Sequence, residues 1–326
     1  MHQFSPIRPR FIAAAVLAAA VGLTALHGPG TAAQAAPEVS VETTDNRVSV
    51  HLGGRLFTEY RFGEDIARPY FFPVMTPRGT HLTRQWPVDE SNPDERQDHP
   101  HHIGVWFCHG DVNGHDFWHK TEIQVVEVTK AEAAGNTAVI GTRNHWVDDD
   151  GTVVVEEART VTITAHEDGP VTMDWNIELV APTEGSGVVF GDTKEGTMAL
   201  RLAQTLTGRD GDGHMFNSEG QENNDAWGKR ARWVTVTGPD AEGEKVSIAF
   251  FDHPDNFVHP TYWHARTYGL FAANPFGARD FDSNVERAET RIAPGESLTL
   301  GYRFVFAEGE LDSEAVDALY NDYRGR

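Results

Sequence analysis

The sequence predicts an all-β fold, a large antiparallel β-sandwich with a short C-terminal helix. Three observations support this prediction. Apolar and polar residues alternate with a period of two along most of the chain, as they do in half-buried strands. Turn signals rich in glycine, asparagine and aspartate separate the alternating segments. A parallel α/β fold would need helices of about ten or more residues between its strands, and the pattern predicts none there.

The predicted strands follow one another from the start of the alternating region. Residues 38–62 predict two or three short strands, with turns at Asp45-Asn46 and Gly53-Gly54. Further strands are predicted within the segments EIQVVEVTKAEAAGNTAVIGTRNHWV, TVVVEEARTVTITAHEDGPVTMDWNIELVAP, RWVTVTGP, KVSIAFFDHP and SLTLGYRFVFAEG. Such spacing of strands and turns is typical of an antiparallel sandwich or barrel.

Residues 312–323 (DSEAVDALYNDY) predict a helix. Its apolar positions, Ala315, Val316, Leu319 and Tyr323, recur at helical spacing and therefore share one face. Asp312 or the serine after it is expected to cap the first turn. We expect the apolar face to cover an edge of the sheet.

The first 36 residues have the pattern of a signal peptide. Arg8 and Arg10 precede an apolar run over residues 11–26, and small residues at 33, 35 and 36 form an A-x-A cleavage pattern. The apolar run is too short to span a bilayer comfortably. No linker or low-complexity tract divides residues 37–326, so we expect a secreted protein with one domain.

The charge and cysteine content limit the partners. A net charge of -22 disfavours nucleic acid and anionic membranes as partners, because the acidic surface repels phosphate. The same charge disfavours acidic glycans unless local arginine and lysine side chains override it. Cys108 is the single cysteine, so an intrachain disulfide cannot form and a structural zinc site is not expected. No cofactor is predicted, and the oligomeric state stays open.

Histidines concentrate in residues 98–120 (DHPHHIGVWFCHGDVNGHDFWHK), which hold six of the chain's 16. One interpretation is acid–base catalysis by His101 or His102, since imidazole titrates near neutral pH. A second is a weak divalent-metal site that uses His99, His101 or His102 with a distant carboxylate. A third is backbone hydrogen bonding across a long loop. The spacing matches no standard zinc signature.

A second polar cluster covers residues 218–233 (SEGQENNDAWGKRARW). Trp227 stands near Glu219, Lys229 and Arg230, and aromatic faces bordered by charged groups are typical of glycan-binding clefts. Trp233 belongs to an alternating strand, so we expect it in the core. Trp227 is flanked by aspartate and glycine and is expected to line the cleft.

Two further segments end strands with polar residues. SIAFF runs directly into Asp252 and His253, which places an acid and an imidazole at a strand end, where catalytic groups are often held. His264 and Arg266 are two residues apart and are expected on one face of an extended segment. Within the segment GDTKEGTMALRLA, Glu195 and Arg201 adjoin an apolar strand, where a charge is costly without a partner.

At these residues the sequence resembles the secreted "PmoA-like" family of bacterial proteins. The motifs occur in order over almost the whole mature chain: RPYFFPVMTPRGTHLTR ending at Arg84, DHPHHIGVWF, KEG with the following strand arginine, SEG with AWGKRARW, FFDHPDNF and YGLFAANPFG. The label methane oxygenase that this family often carries is rejected, because that enzyme's membrane subunit needs spanning segments that this chain lacks after residue 36. The resemblance implies a β-supersandwich of the galactose-mutarotase type, in bacteria that often degrade glycans.

We therefore expect an enzyme that cleaves glycosidic bonds, by hydrolysis or elimination, in one tryptophan-lined cleft where the clusters meet. Hydrolysis would use two carboxylates, Glu195 with Asp252 or Glu219. Elimination would use a histidine or lysine base, with arginine neutralising the developing anion. The catalytic candidates are His101, His102, Glu195, Lys229, Asp252, His253 and His264, and the substrate-binding candidates are Arg84, Arg201, Glu219, Trp227, Arg230 and Arg266. The alternatives are a sugar epimerase of mutarotase type and a non-catalytic glycan-binding module.

Overall fold

The alternating segments form two eight-stranded antiparallel sheets, which confirms the predicted sandwich. The computed structural model describes residues 35–167 and 169–325. The predicted signal peptide lies outside them, apart from its last two residues. The first sheet contains, in spatial order, β1 (Val39–Thr44), β2 (Arg47–Leu52), β3 (Arg55–Arg61), β4 (Tyr70–Val74), β5 (Val105–His109), β11 (Gly196–Arg201), β16 (Leu270–Asn274) and β15 (Tyr262–Trp263).

The second sheet is formed mainly by the long strands from the middle and end of the chain. It contains, in spatial order, β12 (His214–Asn217), β13 (Trp233–Pro239), β14 (Lys245–Asp252), β18 (Ser297–Glu308), β9 (Val171–Val180), β8 (Val153–Ala165), β7 (Thr137–Val147) and β6 (Glu122–Ala134). A two-stranded sheet pairs β10 (Val188–Phe190) with β17 (Thr290–Ile292). Short 3-10 helices cover Gln204–Leu206 and Asn223–Ala226.

The core lies between the two large sheets. Phe107 on β5 packs against Trp146 on β7, with ring centroids 5.9 Å apart. Trp263 on β15 packs against Phe250 on β14 at 4.9 Å. These contacts identify the inner face of the first sheet, and successive residues along its strands therefore point alternately toward the second sheet and away from it.

One ion pair is buried inside this core. Arg159 and Glu157 on β8 are 2.6 Å apart through Nε and Oε1, and both side chains are almost fully buried. The Arg159 guanidinium lies over the ring of Trp175 at 5.3 Å. The Glu157 carboxylate also accepts hydrogen bonds from Asn144 and from the indole of Trp146. Both charges thus have partners, as burial requires.

The helices are α1 (Ala278–Phe281) and the predicted C-terminal helix, α2 (Ser313–Tyr323). The Asp312 side chain caps α2 by accepting a hydrogen bond from the Ala315 amide at 2.9 Å. The helix covers a face of the second sheet and not an edge, because Val316 and Tyr320 pack with Trp233 on β13 and with residues of β14 and β18. None of the helices in the described part of the chain is both long and apolar enough to cross a bilayer.

Candidate functional site

A row of side chains crosses the outer face of the first sheet. Antiparallel pairing sets Tyr70 opposite Trp106, Trp106 opposite Ala199, and Ala199 opposite Ala272. The amide of His264 donates to the carbonyl oxygen of Ala272 at 2.8 Å, which extends the row. Residues directly opposite one another share a face. Since the neighbouring Phe107 and Trp263 face the second sheet, this row faces away from it.

Arg201 and Arg266 lie on the same outer face, in the row of paired residues next to the first. Arg201 pairs with Leu270, and the amide of Arg266 donates to the carbonyl oxygen of Leu270 at 2.8 Å. Ala199 and Ala272 lie between Trp106 and His264 in the first row. The outer face of the sheet therefore carries no large side chain between these two rings. The outer face therefore combines a small-residue floor with aromatic, imidazole and guanidinium side chains around it.

Tyr268 is the centre of the arginine group. Three guanidinium carbons lie over its ring, those of Arg201 at 4.8 Å, Arg209 at 5.4 Å and Arg266 at 6.0 Å from the centroid. The His99 ring stacks on Tyr268 with centroids 5.0 Å apart. Burial raises the pKa of the Tyr268 hydroxyl, although Arg201 and Arg266 act against that shift. The phenol is therefore protonated at neutral pH.

Asp98 binds the arginines together. Its carboxylate accepts hydrogen bonds from Arg84 at 2.9 Å, Arg201 at 2.6 Å and Arg209 at 3.2 Å. Burial opposes its ionisation, but the attraction of Arg201 and the hydrogen bonds of His99 and Arg209 outweigh burial and lower the pKa of Asp98 to about 2. Burial and the neighbouring Arg201 lower the pKa of Arg84 to about 10.

His102 forms a wall beside this group. Its ring stacks on His99 at 4.9 Å and on Trp106 at 5.5 Å, and neither ring nitrogen has a hydrogen-bond partner among the described residues. Burial lowers its pKa well below the usual value, so the ring is neutral. Gly104 joins the histidine segment to β5 with φ of 57°, where a Cβ atom would lie 2.0 Å from the Phe71 carbonyl oxygen.

The His101 ring lies 4.4 Å from that of His102, and His101 lines a cavity of about 390 Å³. Tyr70, Trp106 and His119 also line this cavity. Burial, with His119 and Arg68 nearby, lowers the pKa of His101 to about 3. The cavity thus presents two large aromatic residues and a neutral imidazole beside the Tyr268 group.

His264 lies near Glu195 and has one ring nitrogen in a hydrogen bond. Its Nδ1 lies 3.1 Å from the carbonyl oxygen of Lys194, which can only accept, so Nδ1 carries the hydrogen and Nε2 keeps its lone pair. Burial lowers the pKa of His264 to about 4, although the Glu195 carboxylate acts in the opposite direction. Lys194 forms an ion pair with Glu195 at 2.6 Å.

Trp227 forms the wall next to His264. Its ring lies 6.5 Å from the His264 ring and 5.8 Å from that of Phe281, and the Arg266 guanidinium lies over it at 5.2 Å. Trp227 is half-buried, whereas Trp233 is completely buried in the core. His264 and Arg266 both contact Trp227, as expected for residues on one face of an extended segment.

The structure brings most of the predicted site residues together on this face. The predicted residues in the group are His101, His102, Glu195, His264, Arg84, Arg201, Trp227 and Arg266. Tyr268, Asp98, Lys194 and Arg209 complete the group and were not predicted. Asp98 and Tyr268 do begin two of the motifs quoted above, DHPHHIGVWF and YGLFAANPFG, and that position was the available signal.

Asp252 and His253 have separate surroundings. The Asp252 carboxylate is completely buried and accepts hydrogen bonds from Asn256 at 2.7 Å and from the Thr261 amide at 2.9 Å. His259 Nδ1 lies 2.8 Å from it. Burial raises the pKa of Asp252. His253 lines another cavity, of about 350 Å³, on the outer face of the second sheet. The expectation of one shared pocket therefore does not extend to this pair.

Lys229, Arg230 and Glu219 lie on the surface, and Arg230 is linked to the group through Tyr262 and Phe281. All three are exposed. Arg230 Nε donates to the carbonyl oxygen of Pro260 at 2.7 Å, and the Arg230 guanidinium lies over Tyr262 at 5.6 Å. Glu219 accepts a hydrogen bond from the neighbouring serine hydroxyl at 2.9 Å.

Residues 35–167 and 169–325 contain no group of three or more histidine, cysteine, aspartate or glutamate side chains arranged to hold a metal ion. The His99 and His102 rings are nearly parallel, at 5°. Nitrogen lone pairs lie in the ring plane, so stacked rings do not direct them at one point. A metal site at His99, His101 or His102 stays a prediction.

No curated protein matches this chain. Among solved structures, a polysaccharide lyase is similar at 10% sequence identity, over 84% of this chain and 33% of the lyase, with a TM-score of 0.32. This chain thus spans about a third of the lyase's length. The PmoA-like resemblance is not confirmed. A family model described as "Family of unknown function (DUF6807)" matches residues 47–321, and the chain therefore belongs to that family.

Proposed function

We propose that this protein is a secreted carbohydrate-active enzyme that cleaves glycosidic bonds on the outer face of its first sheet. The observation that carries the proposal is the hydrogen bond from His264 to the Lys194 carbonyl oxygen, at 3.1 Å. It leaves Nε2 of a neutral imidazole free to accept a proton. Glu195 and Tyr268 lie in the same group and supply a carboxylate and a phenol hydroxyl.

The aromatic residues support a sugar as the substrate. Trp227 is half-buried beside His264, and Tyr70 and Trp106 line the cavity beside His101. Sugar rings commonly pack on aromatic faces while charged and polar groups hold their hydroxyls. A binding module would need the aromatic residues but has little use for a neutral histidine next to a carboxylate.

Elimination is favoured over hydrolysis. A hydrolase of the usual kind needs two carboxyl groups roughly 5–10 Å apart across the bond. Of the predicted carboxylates, Glu195 adjoins His264. Asp252 is completely buried and is held by Asn256, His259 and Thr261, and Glu219 is exposed. One histidine base with several arginines matches the requirements of elimination better.

A sugar epimerase of mutarotase type is the second candidate function. That reaction needs one acid and one base near the sugar ring, and the neighbouring His264 and Glu195 provide an imidazole and a carboxylate. An epimerase would change the configuration of its substrate without changing the substrate's mass. This difference separates the two candidates in one measurement.

The test is a panel of plant, algal and bacterial glycans incubated with the purified protein, with product masses measured. We expect shorter products from at least one glycan, and His264→Gln should reduce the rate by about 10²–10⁴-fold. His214→Gln is the matched control, because His214 is exposed and bonds only to Glu222 in the described structure. Binding without any product would favour a module, and an isomer of unchanged mass would favour the epimerase.

A further inference from the structure

Arg266 carries a guanidinium with no acidic partner in the described part of the chain. It is half-buried between two rings, over Trp227 at 5.2 Å and over Tyr268 at 6.0 Å. A guanidinium has five N–H donors in a planar fork, so most of the donors of Arg266 are available to a ligand.

Positive charge exceeds negative charge around Tyr268. Arg84, Arg201 and Arg209 all contact the carboxylate of Asp98, and Arg209 also pairs with Asp210 at 2.9 Å. Arg201 is 1% exposed, and its Nε and Nη1 have no hydrogen-bond partner among the described residues. Nearby, Lys194 is matched by Glu195. Like charges held close together in buried positions raise the free energy of the folded state unless an anion offsets them. The chain as a whole has a net charge of -22, so this local excess opposes the general trend.

We propose that the group binds the carboxylate of a uronic acid residue in a polysaccharide, with Arg266 as the contacting donor. The proposal rests on the proposed function and names its substrate class. A carboxylate is planar and matches the guanidinium fork with two parallel hydrogen bonds. Trp227, beside Arg266, provides an aromatic face on which the sugar ring can pack. The acidic surface elsewhere makes this local group the part of the described chain suited to an anionic glycan.

A uronic acid also supplies the acidic proton that elimination requires. His264 Nε2 takes the proton from C5, the carbon that bears the carboxylate. The electron pair left on C5 forms a double bond to C4 as the bond from C4 to the glycosidic oxygen breaks. The departing oxygen takes a proton from the Tyr268 hydroxyl and becomes the hydroxyl of the second product. His264 then passes its proton through solvent to the Tyr268 phenolate, which restores both side chains without consuming water. Arg266 stabilises the negative charge that builds up on the carboxylate.

Calorimetric binding and product analysis together test this inference. The probes are trisaccharides of galacturonate and mannuronate and the neutral trisaccharides of galactose and mannose. We expect at least one uronate to bind about tenfold or more tightly than its neutral counterpart, and Arg266→Gln to abolish that preference. Arg55→Gln is the control, since Arg55 is an exposed arginine on β3 that donates to a backbone carbonyl. Elimination would give a product whose new double bond is conjugated with the carboxylate and absorbs in the ultraviolet.

The outcomes separate this inference from the proposed function. Equal binding of uronates and neutral sugars, or an equal loss of both in Arg266→Gln, would overturn the uronate proposal. Hydrolysis of a neutral trisaccharide would overturn it too, while the proposed cleavage would survive. Selective uronate binding without cleavage would support the carboxylate site and contradict the proposed function. Absence of any binding by the folded protein would reject both.

Discussion

The imidazole of His264 donates its Nδ1 hydrogen to the carbonyl oxygen of Lys194 across 3.1 Å. Because Glu195 directly follows Lys194, this bond holds the imidazole next to a carboxylate. β16 pairs with β11 on one side and with β15 on the other, and this order brings the two segments together although they are far apart in the sequence. A backbone carbonyl therefore decides which nitrogen of His264 can accept a proton.

Acid should destabilise this protein below about pH 6.5. Burial lowers the pKa of His109 and His264 to about 4 in the folded state, and that of His102 well below its usual value. Between pH 6.5 and 4 the unfolded chain binds protons that the folded chain does not, so unfolding becomes easier as the pH falls. Each such histidine contributes up to about 1.4 kcal/mol per pH unit in this window.

Denaturant unfolding measured from pH 8 to pH 4 checks this prediction. The free energy of unfolding should be level above about pH 7 and should fall progressively below pH 6.5. His109→Gln should make the fall of the unfolding free energy with pH less steep. His109 is completely buried, and the variant lacks the imidazole that would bind a proton on unfolding. Unchanged stability between pH 7 and pH 4.5 would contradict the burial of these rings.

Asp252→Asn should reduce stability more than catalysis. The sequence pattern alone predicted a catalytic role for Asp252, but its carboxylate holds Asn256, His259 and Thr261 in the segment that follows β14. Losing charge-assisted hydrogen bonds in a buried position should cost about 1–3 kcal/mol. Thermal unfolding and turnover of the folded fraction measure the two effects. Asp255→Asn, at a side chain that is 92% exposed, should change neither. A large loss of turnover at unchanged stability would restore the catalytic role.

Arg159→Met should be one of the most destabilising single changes in the core. It leaves the buried Glu157 carboxylate without its countercharge, a loss typically worth about 3–5 kcal/mol. Arg143→Met is the matched control on the neighbouring strand β7, because its ion pair with Glu127 is exposed and should contribute about 0–1 kcal/mol. Chemical denaturation of the two variants gives the comparison. Similar losses in both would show that burial of the Arg159 pair has little energetic effect.

We expect no tightly bound structural zinc. The single cysteine cannot supply the several thiolates that such sites usually use. Elemental analysis of protein purified without chelator should find well below one equivalent of zinc, and adding a chelator should leave the unfolding temperature unchanged. One equivalent of zinc that disappears in His101→Ala would reverse this expectation and support the metal interpretation of the histidine segment.

Local patterns in the sequence were sufficient for much of the fold. Period-two alternation and the turn at Asp45-Asn46 predicted the hairpin of β1 and β2, because both signals arise within a few neighbouring residues. Helical spacing and the Asp312 cap likewise predicted α2. The buried position of Trp233 followed from its place in an alternating strand.

The tertiary structure alone decided the composition of the candidate site. All six residues of β11 are buried, so alternation could not reveal that Arg201 lies on the outer face while Met198 lies on the inner one. Nearly all residues of β13 and β14 are buried too, so alternation could not show that these strands have a second apolar face, which α2 covers. Strand pairing placed Arg201 next to the segment that carries Tyr268 and left Asp252 elsewhere. A sequence pattern records which residues can be buried, whereas the order of strands in the sheets determines which of them become neighbours.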